Sequence, residues 1–205
     1  MTTIRSVAIV GAGQMGAGIA QAVAAGGYQV LLYDSVGERV PQAQAAVAAS
    51  LARQVERGLT DRVAADAILA RITAVPSLGA AAKADLVIEA AVEDEAVKKA
   101  ILVELVPLLG AHTLLASNTS SISITRLASA TDRPDRFIGL HFMKPAPVMK
   151  LVEIIRGIAT SAATYATAVT FAESLGKTTT NAEDFPAFIV NRILAPMINE
   201  AIYTL

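Results

Sequence analysis

The sequence has no cysteine and no tryptophan, and only 4% of its residues are aromatic. Without cysteine there is no disulfide framework and no thiolate chemistry to consider. The formal net charge of -1 gives no basic field of the kind that nucleic acid or an anionic membrane surface requires. No apolar run of about 18 residues is free of polar interruption, so no membrane span is expected. The first residues carry no export signal, and we expect a cytoplasmic protein.

Short apolar runs alternate with longer helical patterns along much of the chain. The 205 residues are 54% hydrophobic, which suffices for the core of one large domain, or of one domain and a fragment. The alternation favours an α/β fold in which helices cover a mostly parallel sheet. Strands are predicted for these runs: residues 4–10, 29–33, 85–89, 113–116 and 136–141.

A long helical pattern over residues 36–72 separates the second predicted strand from the third. It is interrupted near Gly58, so we expect a helical hairpin that stands off the sheet. Its first arm carries an apolar stripe typical of a packed helix, formed by Val47, Leu51 and Val55. A polar stripe, displaced by about a third of a turn, consists of Ser50, Arg53 and Arg57.

The pattern changes after His141, where only a short Lys-Pro-Ala-Pro connection precedes the next apolar run. No crossover helix fits there, so the flanking strands are predicted to be antiparallel neighbours. Three further elements are predicted: a strand over 148–155, a helix over 160–175 and a strand over 177–180. A last helix is predicted from Pro186, and the chain ends within its pattern. We expect one domain over residues 1–184 and, over residues 185–205, the first helix of an incomplete all-α domain.

A glycine-rich turn follows the first predicted strand and opens the first helix. Its sequence is Gly11-Ala12-Gly13-Gln14-Met15-Gly16. Three glycines at this spacing permit a tight turn, close approach of the backbone to a pyrophosphate, and close helix-to-strand packing. Asp34 ends the second predicted strand, where it suits the ribose hydroxyls of NAD and repels the 2′-phosphate of NADP. The turn indicates a Rossmann-type, doubly wound sheet that binds NAD. Arg39 nearby is a cation that a 2′-phosphate could use, and an ordinary tight turn is the alternative.

Three segments carry groups suited to chemistry on a bound ligand. The first is the polar loop of residues 117–121, which includes Ser120 and follows a predicted strand at the sheet edge where ligands bind. The second is His141 with Glu153 in the following strand; such a pair suits removal of a proton from a secondary alcohol while hydride leaves for a nicotinamide. The third is Asn191 early in the terminal helix, with an amide that can reach a ligand carbonyl. Each segment has an alternative interpretation. The polar loop could simply cap the helix that follows, the histidine could be a buried core residue, and the asparagine could serve only the local start of its helix.

Several motifs together resemble the 3-hydroxyacyl-CoA dehydrogenase family. They cover nearly the whole chain in the family's order and spacing: GAGQMGAGIAQ, VIEAAVEDEAVKK, ASNTSS, GLHFMKPAPVMKLVEII and FIVNR. The resemblance implies NAD-dependent interconversion of L-3-hydroxyacyl-CoA and 3-ketoacyl-CoA, with a His/Glu general base.

The resemblance also implies roles for individual residues. It makes His141 the catalytic base and Glu153 its partner, and places Ser120 and Asn191 at the reacting oxygen or thioester of the substrate. Other positions match the cofactor site near the ribose and nicotinamide end, namely Glu93 and Lys98. The helical hairpin matches the family's CoA-binding arm, with Ser50 in place and with Arg57 where a lysine is common.

The sequence departs from the family pattern at two positions and in length. Lys144 replaces an asparagine expected near the nicotinamide, and Ala187 stands where glycine is usual. Family members continue into a helical domain that closes the substrate cleft and makes the dimer. The apolar face of the terminal helix therefore predicts a homo-oligomer. The alternatives are a non-catalytic NAD- and CoA-binding module and a dehydrogenase of free hydroxyacids.

Overall fold

The computed structural model describes residues 3–205, in which one sheet of eight strands is covered by helices on both faces. The strand order is β3-β2-β1-β4-β5-β6-β7-β8. The strands are β1 (Ser6–Val10), β2 (Gln29–Tyr33), β3 (Ile72–Ala74), β4 (Leu86–Glu89), β5 (Leu114–Ser117), β6 (Phe137–Phe142), β7 (Leu151–Arg156) and β8 (Thr178–Glu183). All neighbouring strands run parallel except β6 and β7, which are antiparallel as predicted. The α/β, Rossmann-type class is confirmed.

The helices divide between the two faces of the sheet. They are α1 (Gln14–Ala25), α2 (Arg39–Glu56), α3 (Arg62–Ala70), α4 (Leu78–Ala81), α5 (Glu95–Leu105), α6 (Ile124–Ala128), α7 (Ala162–Ser174) and α8 (Val190–Tyr203). One core joins α1, α2 and α7 to the sheet, and a second joins α4, α5 and α6 to its other face. Burial on both faces explains why the first three residues of β4 are apolar; the fourth, Glu89, is buried as well.

Side-chain caps begin five of the helices. The capping oxygens accept a backbone N–H of the first turn and belong to Asp61, Ser77, Asp94, Ser123 and Ser161. Helix α1 differs because its N-cap is Gly13, which has no side chain to offer. The N–H groups of the first turn of α1 are therefore available to an anion, with the positive end of the helix dipole behind them.

The helical hairpin differs from the prediction in its packing and its end. Val40, Ala43, Val47 and Leu51 of α2 are buried in the core beside α1, so the hairpin packs along the domain instead of standing off the sheet. Residues 72–74, which begin where the predicted helical stretch ends, form the unpredicted strand β3, which pairs with the edge of β2. Three residues are too few for strand periodicity to show in a sequence.

The terminal helix begins later than predicted. Ala187 and Phe188 have φ angles of 67° and 52°, in the left-handed region, so no helix can start at Pro186. Helix α8 starts at Val190, and none of its side chains is buried against the part of the chain that the structure describes.

Candidate active site

The glycine turn lies at the carboxyl end of β1, where the strand order reverses. Gly11 adopts φ +112°, and a Cβ there would meet the carbonyl oxygen of Ala90 at 2.6 Å. A Cβ on Gly16 would strike the carbonyl oxygen of Gly11. A Cβ on Gly13 would meet nothing within 4 Å. Gly11 and Gly16 are thus needed by the fold itself, whereas the space at Gly13 is open for a ligand's phosphates.

The carboxylate of Asp34 organises the turn from the end of β2. One oxygen accepts the Ala12 N–H at 2.8 Å and the other accepts the Val36 N–H at 2.9 Å. The Arg39 guanidinium lies 3.8 Å from the second oxygen. Each oxygen keeps a lone pair for a ribose hydroxyl. The Arg39 side chain is 50% exposed, so this contact is a weak surface ion pair.

A cleft of about 390 Å³ opens above the turn, and we call it the glycine cleft. Its polar wall contains Gly11, Gly13, Gln14 and Asp34, and its apolar wall contains Val97 and Ile101 of α5. An apolar slot beside a row of backbone N–H groups and a carboxylate suits the adenine, pyrophosphate and ribose of a dinucleotide. The residues present therefore fit NAD.

His141 and Glu153 face each other across the antiparallel pair of β6 and β7, in direct register. Imidazole Nδ1 lies 2.6 Å from a Glu153 oxygen, and the residues are 7% and 0% exposed. The other Glu153 oxygen accepts the Ile189 and Val190 N–H groups, both at 2.9 Å. Burial raises the pKa of Glu153, but the His141 contact and the two N–H donors lower it by more than burial raises it. The pKa of Glu153 therefore lies below its ordinary value of 4.5.

The ionised Glu153 fixes the tautomer of His141. An anionic carboxylate can only accept, so Nδ1 carries the proton and Nε2 is the nitrogen left for a ligand. The ring of Phe188 lies 5.9 Å from the imidazole and is 3% exposed, which limits rotation of the histidine. Sequence reasoning missed Phe188 because its role depends on the left-handed turn.

A second cleft of about 420 Å³ contains the histidine, and we call it the histidine cleft. It brings together residues from four separate segments: Glu93, Ser120, His141, Lys144 and Asn191. It shares Met15, Ala90 and Ala91 with the glycine cleft, so the two clefts are continuous across the end of β4. A ligand lying on the glycine turn can therefore extend toward the imidazole.

The polar loop after β5 forms one side of the histidine cleft. Asn191 Nδ2 donates to the Ser120 carbonyl oxygen at 3.3 Å, which ties α8 to this loop. Asn118, missed from the sequence, accepts the Phe142 N–H at 2.9 Å and ties the loop to β6. The Glu93 carboxylate accepts the N–H and hydroxyl of Ser120 at 2.7 and 3.1 Å.

Lys98 and the arm residues lie away from the clefts. The ammonium of Lys98 is 1% exposed and contacts Glu89 at 2.8 Å beneath the cleft floor. Lys98 therefore acts on a ligand only through its neighbours in this structure. Ser50 is half-buried on α2 and Arg57 is exposed at its end, and neither residue lines the glycine cleft or the histidine cleft. The structure does not bring them to the His141 site.

Two classes of feature are absent from residues 3–205. No helix in that range is both long and apolar enough to cross a bilayer. No group of three or more His, Cys, Asp or Glu side chains in the same range is arranged to hold a metal ion.

The glycine turn, the acidic residue after β2 and the clefts meeting at the end of β4 define a dinucleotide-binding α/β protein. The protein-family model that describes the NAD-binding domain of 3-hydroxyacyl-CoA dehydrogenases matches residues 6–185 of the sequence. The chain belongs to the 3-hydroxyacyl-CoA dehydrogenase family. This confirms the resemblance found in the sequence, the NAD cofactor and the predicted enzyme class, an NAD-dependent dehydrogenase.

Similar proteins agree in sequence and structure. The chain is 54% identical over 202 residues to a 3-hydroxybutyryl-CoA dehydrogenase of Bradyrhizobium diazoefficiens, covering 98% of this chain and 69% of that protein. It is 40% identical over 205 residues to human mitochondrial hydroxyacyl-coenzyme A dehydrogenase, covering 97% of this chain and 65% of that one. The crystal structure of (S)-3-hydroxybutyryl-CoA dehydrogenase from Ralstonia eutropha superposes with a TM-score of 0.94 at 47% identity, over 97% of this chain and 70% of that chain.

Proposed function

We propose that the protein interconverts L-3-hydroxyacyl-CoA and 3-ketoacyl-CoA with NAD, using His141 as general base. The observation that carries the proposal is the 2.6 Å contact between His141 Nδ1 and Glu153 at a cleft continuous with the glycine cleft. A proton acceptor and a dinucleotide cleft that meet at one point are what alcohol oxidation requires. NAD, when bound, accepts the hydride from the carbinol carbon.

The protein's own residues handle the proton and the substrate's position. In the oxidation direction Nε2 of His141 takes the hydroxyl proton, and Glu153 stabilises the imidazolium that results. Burial of the carboxylate strengthens this stabilisation because little water screens it. In the reduction direction the same nitrogen returns the proton to the carbonyl oxygen.

Ser120 and Asn191 are proposed to hold the reacting oxygen or the thioester carbonyl. Both line the histidine cleft, and both carry donors suited to a carbonyl oxygen. Their mutual contact, from Asn191 Nδ2 to the Ser120 carbonyl oxygen, sets their spacing. Lys144 lines the same cleft and is exposed, and we propose that its ammonium lies beside the cofactor as a substitute for the amide of the family pattern.

We propose that α2 carries the CoA end of the substrate. Arg57 is exposed at the end of the helix, where its guanidinium can pair with a CoA phosphate, and Ser50 lies two turns earlier. Since neither residue lines the histidine cleft, the acyl-CoA would have to run along the surface from α2 to the cleft.

The proposal includes assembly of copies of the chain through α8. The helix presents an apolar face whose members are about half exposed or more, including Ile193, Met197 and Ile202 at 62%, 57% and 64%. We also propose that residues 185–205 begin a helical domain distinct from residues 1–184, and that the protein works in the cytoplasm. Light scattering would test the assembly: a clean monomer at high concentration contradicts it.

The test of the reaction is reduction of acetoacetyl-CoA by NADH with the purified chain. We expect NADH to be consumed with the thioester, and not with free acetoacetate, because the free acid lacks the CoA that α2 would bind. Product analysis should give the L-hydroxy isomer. A flat trace while NAD binding is intact would favour the non-catalytic module, and turnover of the free acid alone would favour a hydroxyacid dehydrogenase.

A further inference from the structure

A buried ion pair lies beneath the floor shared by the two clefts. Lys98 Nζ contacts both oxygens of Glu89, at 2.8 and 3.0 Å, and the two residues are 1% and 0% exposed. Removing two charges from water costs several kcal/mol per ion, so such a pair is a poor source of stability. A pair of apolar residues would fill this space at lower cost, which raises the question of what the charges hold in place.

Glu89 holds the ends of two central strands. Besides Lys98, its carboxylate accepts the Ala91 N–H and the Ser117 hydroxyl, both at 2.6 Å. Ala91 borders both clefts, and Ser117 begins the polar loop that carries Ser120. The carboxylate therefore fixes the backbone at the point where a dinucleotide would cross from one cleft to the other.

Lys98 carries the same restraint on to Glu93. Its ammonium lies 3.5 Å from one Glu93 oxygen and 3.4 Å from the Ala91 carbonyl oxygen. The other Glu93 oxygen lies 2.7 to 3.1 Å from five potential donors, which are the Thr119 hydroxyl and the N–H and hydroxyl groups of Ser120 and Ser121. An unbroken series of contacts thus runs from Glu89 through Lys98 and Glu93 to the Ser120 loop.

We propose that Glu89 is a positioning residue: with Lys98 it sets the place of the Glu93 carboxylate and of the Ser120 loop at the junction of the two clefts. The effect on NAD and substrate rests on the proposed function, whereas the effect on the loop does not. Burial raises the pKa of Glu93, but its hydrogen bonds and the Lys98 charge lower it by more than burial raises it. Glu93 is therefore ionised and binds its donors strongly.

The test compares Glu89→Gln, Lys98→Met and the double variant of both. Glu89→Gln leaves the buried Lys98 ammonium with only its longer contact to Glu93, and Lys98→Met leaves the buried Glu89 carboxylate without a counter-ion, so each single variant should be destabilised. The double variant is neutral and should recover stability in denaturant titrations. The double variant distinguishes a positioning role from a purely structural one. The positioning role predicts that this variant, although its stability is recovered, binds NAD about tenfold more weakly than the wild type. Its Ser120 and Ser121 amides should also exchange with solvent about tenfold faster than in the wild type.

Asp85 provides a matched control at the opposite end of the same strand. Its carboxylate accepts the Arg5 and Ser6 N–H groups, each at 2.9 Å, far along β4 from the clefts. Asp85→Asn should lower stability and leave NAD affinity and Ser120 exchange unchanged. Ser117→Ala is the milder variant should the double one fail to fold, and it should shift exchange of the Ser120 amide in the same direction.

The outcomes separate the two proposals. The positioning role would be overturned if the Ser120 and Ser121 amides of the double variant exchanged at the wild-type rate. If the double variant fails to fold, a wild-type exchange rate in a folded Ser117→Ala variant would overturn it instead. Failure of the wild type to bind NAD would overturn the proposed function, while the exchange measurement would still decide the role of Glu89.

Discussion

The Glu153 carboxylate accepts the backbone N–H of Val190 at 2.9 Å with the oxygen that does not face His141. One buried carboxylate therefore both orients the imidazole and caps the first turn of α8. The position of the terminal helix and the tautomer of His141 depend on the same charge. Any change that neutralises Glu153 should affect both.

The acid sensitivity of the fold should reveal this double role. The pKa of Glu153 is lower in the folded protein than its ordinary value of 4.5. Its stabilising contribution is therefore complete above that value and is lost as the pH falls through the lower, folded pKa. Glu153→Gln lacks the charge at every pH, so it should be less stable than the wild type near neutrality, and the two stability curves should converge on acidification. Denaturant titrations between about pH 7 and pH 3 measure this; parallel curves would contradict it.

Replacing Ala187 with glycine in the left-handed turn before α8 should make the folded protein more stable. Ala187 has φ 67°, a conformation that costs a residue with a Cβ about 1 kcal/mol and costs glycine almost nothing. Ala187→Gly should raise the free energy of unfolding by about 0.5–1 kcal/mol. Ala46→Gly, at an exposed site in the interior of α2, is the control and should lower it by a similar amount. Destabilisation by Ala187→Gly would show that the turn is not strained.

Two glycines of the same turn should respond differently to alanine. A methyl group at Gly16 would collide with the Gly11 carbonyl oxygen, so Gly16→Ala should destabilise the fold severely. Gly13→Ala places its methyl in open space, so the unfolding midpoint should barely move while the methyl blocks the pyrophosphate. Calorimetric titration with NAD should show the loss. Undiminished NAD affinity in Gly13→Ala would mean that the dinucleotide lies elsewhere.

The choice between NAD and NADP should depend on Asp34 and Arg39 together. Asp34→Asn removes the charge that repels a 2′-phosphate and releases the guanidinium 3.8 Å away. We expect NAD to bind about tenfold more weakly and NADP to bind better than in the wild type. Adding Arg39→Ala should abolish the gain for NADP, because the cation is then missing. An unchanged preference in Asp34→Asn would place discrimination at other residues.

Much of the fold and site follows from local sequence patterns. The glycine turn was predictable from the spacing of its three glycines. The antiparallel step after His141 and the His141–Glu153 pairing were predictable because a short connection leaves few topologies. The contact of Asn191 with Ser120 joins residues 71 positions apart in the chain, but each residue was already marked by its motif.

Other features depend on tertiary packing that no local pattern encodes. The strand over residues 72–74 exists because β2 offers an open edge, and α2 packs on α1 although the interrupted helical pattern over residues 36–72 predicted a hairpin that stands off the sheet. The buried pair of Glu89 and Lys98 was invisible because charged residues in a sequence are expected at the surface. The left-handed turn at Ala187 was missed for a different reason, since alanine gives no sign of a positive φ.

The most direct test of His141 as general base is the turnover number of His141→Gln for acetoacetyl-CoA reduction, measured beside its affinity for NADH. Glutamine keeps a polar side chain of similar reach but cannot exchange a proton. We predict a fall in kcat of about a thousandfold, with NADH affinity unchanged because the imidazole lies beyond the glycine cleft. Turnover equal to that of the wild type would contradict the assignment of His141 as the group that moves the proton.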